Sequence, residues 1–96
     1  MNEELIKNAV KVTKQREGIL NGVQDDYIKS IIKGIISELE KQNGIKADLS
    51  NEDMFMFVVD FASYRYSNRD SIEGMPMHLK DRLRNMYINS KNDAEG

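Results

Sequence analysis

Few side chains in this sequence are of kinds that do chemistry, and their spacing limits what each could do. His78 is the only histidine, and there is no cysteine. A metal site needs a second nitrogen or thiolate donor at ligand spacing, and covalent catalysis needs a nucleophile with a base in reach. Neither arrangement surrounds His78, whose place in the first turn of a helix fits an exposed or capping side chain. No glycine-rich phosphate loop or dinucleotide fingerprint occurs. The carboxylate pairs Asp25-Asp26 and Glu52-Asp53 could hold Mg²⁺ or act as acid and base. Each pair, however, opens an apolar periodic segment, where capping and the helix dipole already account for acidic residues.

Asp60 is a different case, because it falls inside the apolar run Met54 to Tyr66, where an unpaired buried carboxylate would be costly. If buried, it needs a cation from Arg65, Arg69 or an arginine of the last helix, within the chain or across a subunit boundary. If it faces solvent, it needs none. Lys80, Arg82 and Arg84 could meet phosphate, although three cations on a short helix are also the ordinary pattern of a solvated face. Met54, Met56, Met75, Met77 and Met86 fit core filler, with an adaptable contact surface as the sharper alternative.

Four helices must position these groups. From Asn2 to about Lys14, Leu5, Ile6, Ala9, Val10 and Thr13 recur at helical spacing behind Glu3 and Glu4. Arg16 to Gln24, with Gly18 and Gly22 around Ile19, Leu20 and Val23, is a turn-rich connection whose apolar residues are expected to pin it to the core. Asp25 or Asp26 caps a second helix, in which Tyr27, Ile28, Ile31, Ile32, Ile35, Ile36 and Leu39 form one stripe. Lys29, Ser30, Lys33, Ser37, Glu40 and Lys41 lie opposite, and Asn43-Gly44 supplies a left-handed stop.

Ser50 followed by Asp53 suggests a capping-box variant opening a third helix, Met54 to Tyr66. Its apolar residues spread around nearly the whole circumference, so the helix must be central or must meet another subunit. Ser67 to Gly74 is a polar loop. Met75-Pro76 then opens a fourth helix with Leu79, Leu83, Met86 and Tyr87 on its buried line, and Ser90 to Gly96 has the composition of a frayed tail. The expected fold is therefore all-α: a small bundle of four helices, one domain over residues 1–90, with a flexible, disordered polar tail over 91–96.

Composition narrows the function. Fourteen Lys and Arg against sixteen Asp and Glu give a net charge of −2, so no global positive field holds nucleic acid. Absence of cysteine excludes a disulfide scaffold and fits a reducing compartment. Met1 to Lys14 contains no uninterrupted apolar core of a signal peptide, and no run approaches transmembrane length. The product is thus expected to remain in the cytoplasm unless it is built into a larger particle.

Two segments carry a family likeness. They are Phe57-Val58-Val59-Asp60-Phe61-Ala62-Ser63-Tyr64-Arg65-Tyr66-Ser67-Asn68-Arg69-Asp70 and Met75-Pro76-Met77-His78-Leu79-Lys80-Asp81-Arg82-Leu83-Arg84-Asn85-Met86-Tyr87-Ile88. Together with the amphipathic helix from Asp25, they make the chain resemble the small head-tail connector, or DNA-packaging adaptor, proteins of tailed phages and prophages. The likeness covers about two thirds of the chain, from Asp25 to Ile88. Its two motifs are moderately specific together and weak singly, and Arg16 to Gln24 departs from the compact start of the family.

The resemblance implies a non-enzymatic subunit, without cofactor, metal or small-molecule substrate, that joins a ring of its own copies beneath the portal protein. It implies docking of the next head-tail joining or tail protein, DNA as passing cargo, no membrane contact, and a place at the head-tail junction of a virion made in the host cytoplasm. On that reading Phe55, Val59, Asp60, Arg65, Tyr66 and Arg69 face the neighbouring subunit. Lys80, Arg82, Arg84, Tyr87 and Ile88 dock the portal. A near-neutral chain suits a conduit in which DNA slides, and a ring suits a third helix with apolar surface to spare. The alternative is a small helical DNA-binding phage regulator that would read DNA with Arg82, Arg84 and Asn85.

Overall fold

The computed structural model describes residues 3–42, 44–68 and 75–95. It contains four helices, α1 (Glu3–Glu17), α2 (Asp25–Lys41), α3 (Glu52–Ser67) and α4 (Met77–Glu95). There is no strand among the described residues. Helix α3 is central and packs against α1, α2 and α4, whereas α4, among the described residues, packs on α3 and on no other helix. The architecture is the all-α bundle that the periodicity predicts.

Helix α1 runs three residues beyond Lys14 and ends where Gly18 adopts φ 70°. That left-handed residue lets the Ile19 N–H reach back to the Lys14 carbonyl at 2.9 Å and the Gly18 N–H to that of Gln15 at 3.3 Å, closing a Schellman turn. The buried face of α1 is Ile6, Ala9, Val10 and Thr13, and the Thr13 hydroxyl donates to the Ala9 carbonyl at 2.8 Å. A hydroxyl is admitted to the core because its hydrogen bond is made within the helix.

In the turn that follows, the expectation of a pinned connection holds only for Ile19. Leu20 is 98% and Val23 80% exposed. The backbone bonds that close α1 turn Ile19 inward, and the two residues beyond are carried out over the end of the bundle.

Helix α2 buries Ile28, Ile32, Ile35, Ile36 and Leu39, with Ile31 half-buried, which is the stripe its spacing dictates. Tyr27 lies at the margin of that stripe, exposed, with its ring 6.1 Å from that of Tyr66. Neither Asp25 nor Asp26 caps the helix. Gln24 occupies the cap position without a side-chain bond, and both acids sit inside the first turn, where the helix dipole favours them. Gly44, at φ 65°, reverses the chain, and the Ile45 N–H bonds the Leu39 carbonyl at 2.9 Å.

The cap of α3 is Asn51 rather than Ser50: the Asn51 side chain accepts from the Met54 N–H at 3.0 Å. Ser50 is drawn instead to Asp48, whose Oδ1 accepts from the Ser50 hydroxyl at 2.6 Å and from its N–H at 3.0 Å. The hydroxyl bond, seconded by the backbone bond, holds the Asp48 carboxyl below the usual carboxylate range.

Helix α4 starts at Met77, one residue after the predicted proline: Pro76 stands just before the first turn, and its carbonyl accepts from Leu79 and Lys80, each at 3.0 Å. It continues to Glu95, past Ser90, where the polar composition predicts fraying.

Candidate functional site

Asp60 sits near the middle of α3, and its side chain is only 24% exposed. It is buried enough to need cations, and it receives two. The guanidinium of Arg82 reaches it from α4 and that of Arg16 from α1, so one carboxylate joins three helices. Arg82 also lies over the Phe57 ring, 5.5 Å from its centroid, which shields the pair on one side. Of the candidates named from sequence, the fourth-helix arginine is the partner. Arg16 gave no signal, because it stands just beyond the last apolar residue of the α1 stripe, in a segment that reads as a turn.

Arg65 does not serve Asp60. It pairs with Glu38 of α2, its Nη2 donating to both carboxylate oxygens at 2.7 and 2.9 Å, and its guanidinium lies 4.5 Å over the centroid of Phe61. Five residues along a helix turn the direction by well over a full turn, so Arg65 and Asp60 leave α3 on different sides. Arg69 lies outside the described residues.

These contacts change what the apolar surface of α3 means. Met54, Phe57, Val58, Val59, Phe61, Ala62 and Ser63 are all buried by the chain's own helices, and Phe55, Tyr64 and Tyr66 are half-buried against the same core. Val59 has no exposed surface and so can offer none to a second copy in this conformation. Asp60 and Arg65 have their partners within the chain, and the Tyr66 ring lies tilted against that of Tyr27. In the single chain, what apolar surface α3 keeps is the half-exposed part of Phe55, Met56, Tyr64 and Tyr66.

Part of that enclosure comes from a wall that is not a helix. Ile45, Ala47 and Leu49, alternating with Lys46 and Asp48, are buried as well and help to close the core beneath the helices. Their period-two pattern is visible in the sequence and was the available signal.

What remains outward lies on α4. Leu79 is the one fully buried side chain among those described on it, Leu83 and Met86 are half-buried, and Tyr87 and Ile88 are 38% and 47% exposed. Tyr87, placed on the buried line by its spacing, is therefore at the edge of it. Beside Tyr87, between α4 and the end of α2, runs a groove of about 350 Å³ lined by Ile45, Leu83 and Tyr87 with Lys80, Arg84 and Gln42. Of the five residues assigned to docking, Lys80, Arg84, Tyr87 and Ile88 are exposed together along this helix, and Arg82 is committed to Asp60.

His78 is exposed one turn before Arg82, beside Met77, which is 68% exposed. Among the described residues no three acidic, histidine or cysteine side chains are grouped to hold a metal ion, and no helix is long and apolar enough to cross a membrane. The face on α4 pairs apolar with cationic side chains. No protein-family model, no curated protein and no solved structure matches the chain.

Proposed function

We propose that this protein is a non-catalytic assembly subunit of the head-tail connector kind, and that it docks a portal protein through the outer side of α4. The observation that carries the reading is the exposed set Tyr87 and Ile88 flanked by Lys80 and Arg84, on a helix at the edge of the bundle whose helix contacts among the described residues are with α3. Tyrosine and arginine are the residues that most often anchor protein interfaces, and a helix with one side free can present them without unfolding the core. The motif likeness between Phe57 and Ile88 supplies the identity of the partner. Ring formation, DNA as passing cargo, contact with the next tail component and residence at the head-tail junction of a virion all belong to the same proposal.

The test is capture of the portal protein from the genome that encodes this chain by the folded, tagged protein. Retention of portal supports the reading. A correctly folded protein that leaves portal in the flow-through overturns it. Salt-sensitive retention of duplex DNA through Arg84 and Asn85 would put a DNA-binding regulator in its place.

A further inference from the structure

A second concave surface lies between α1 and the first turn of α2, and neither the Asp60 cluster nor α4 lines it. The groove measures about 510 Å³ and has Val10 and Ile19 as its apolar floor. Four lysines, Lys7, Lys11, Lys14 and Lys29, surround it against two acids, Asp25 and Asp26, in a chain whose net charge is −2.

The four cations are not equivalent. Lys14 is held 2.7 Å from Asp25, and Lys29 is 3.2 Å from Glu3. Lys7 and Lys11, one turn apart on α1 and both exposed, have no carboxylate partner among the described residues. Immediately after Ile19 the turn carries Leu20 and Val23 into solvent.

We propose that this groove docks an acidic amphipathic segment of a partner protein, with an apolar side chain on Val10 and Ile19 and carboxylates on Lys7 and Lys11. The mixed surface selects that class. A phosphodiester backbone has no apolar group for the floor. A bilayer surface cannot enter a concavity. A peptide helix or strand presents an apolar residue and carboxylates a turn apart, which is the pattern the groove offers in reverse. The surface is independent of the α4 face, and the proposal stands or falls separately from portal docking.

The experiment titrates the full ¹⁵N-labelled chain with a synthetic helical peptide bearing two leucines on one side flanked by glutamates. Control peptides replace the glutamates by glutamine or the leucines by serine, and duplex DNA and phosphatidylserine vesicles form parallel arms. Amide shifts confined to Val10, Lys11, Ile19 and their neighbours are expected. Affinity should fall about tenfold in the K7E/K11E double variant and at raised salt. Both lysines are exposed, so that variant should keep the helical circular dichroism of the parent. Three outcomes would overturn the proposal: no shifts at millimolar peptide, equal binding of the glutamine peptide, or tighter engagement of the same residues by DNA or vesicles.

Discussion

At the scale of single residues, Asp60 is where the sequence poses a question that the structure answers. A carboxylate three-quarters removed from solvent survives among Phe57, Val59 and Phe61 because Arg16 and Arg82 both reach it. Asp60→Asn keeps the shape and removes the charge, leaving two guanidinium groups facing each other across a neutral amide. The loss should be about 1–3 kcal/mol. In a domain of this size each kcal/mol lowers the melting midpoint by roughly 4–8 °C. Arg16→Ala should cost less in the Asp60→Asn background than alone, because the two substitutions remove one shared interaction. Strict additivity in thermal melts of the three variants would mean that the cluster is decorative. The need for a partner was readable from the residue type alone. The identity of Arg16 was not, since it depends on α1 continuing three residues beyond its apolar stripe to a turn closed by Gly18.

At the scale of elements, the helices divide by how firmly they are held. Helix α2 is anchored by five buried aliphatic side chains, and Ile32, with no exposed surface, is central among them. Ile32→Asp would place an unpaired carboxylate there, and a loss of about 4 kcal/mol or more is expected. An unchanged urea unfolding curve would show that the assigned face is wrong. Helix α4 is held by Leu79, the Arg82–Asp60 pair and partly buried Leu83 and Met86.

Leu79→Ala should cost about 2–4 kcal/mol if it acts on the whole fold. With so few anchors on α4, its main effect should be local: amides of α4 lose their protection from hydrogen exchange while those of α1, α2 and α3 keep theirs. Uniform loss of protection would show that α4 is integral to the cooperative unit. Repeating apolar pairs made α2 fully legible in the sequence. The caps were not, because Ser50 and Asn51 are both competent and only the competing pull of Asp48 on Ser50 decides between them.

For the whole molecule, the question is which surface is left once the core is complete. Counting helices alone suggests that α3 cannot be covered by so short a chain, but Ile45, Ala47 and Leu49 supply a further wall without being a helix. With α3 largely enclosed, an assembly role has to rest on surfaces that leave the fold intact when they are altered, and α4 offers such a surface. Arg84 is exposed and Tyr87 partly so, whereas Arg82, two residues earlier, holds Asp60. The three substitutions should therefore separate. Arg84→Ala and Tyr87→Ala are expected to melt within about 0.5–1 kcal/mol of the parent while weakening portal capture about tenfold or more. Arg82→Ala should lower stability first and affect capture only through the seating of α4. If Arg84→Ala and Tyr87→Ala bind portal as the parent does, docking cannot run through this helix, and the exposed flank of α4 would need another occupant.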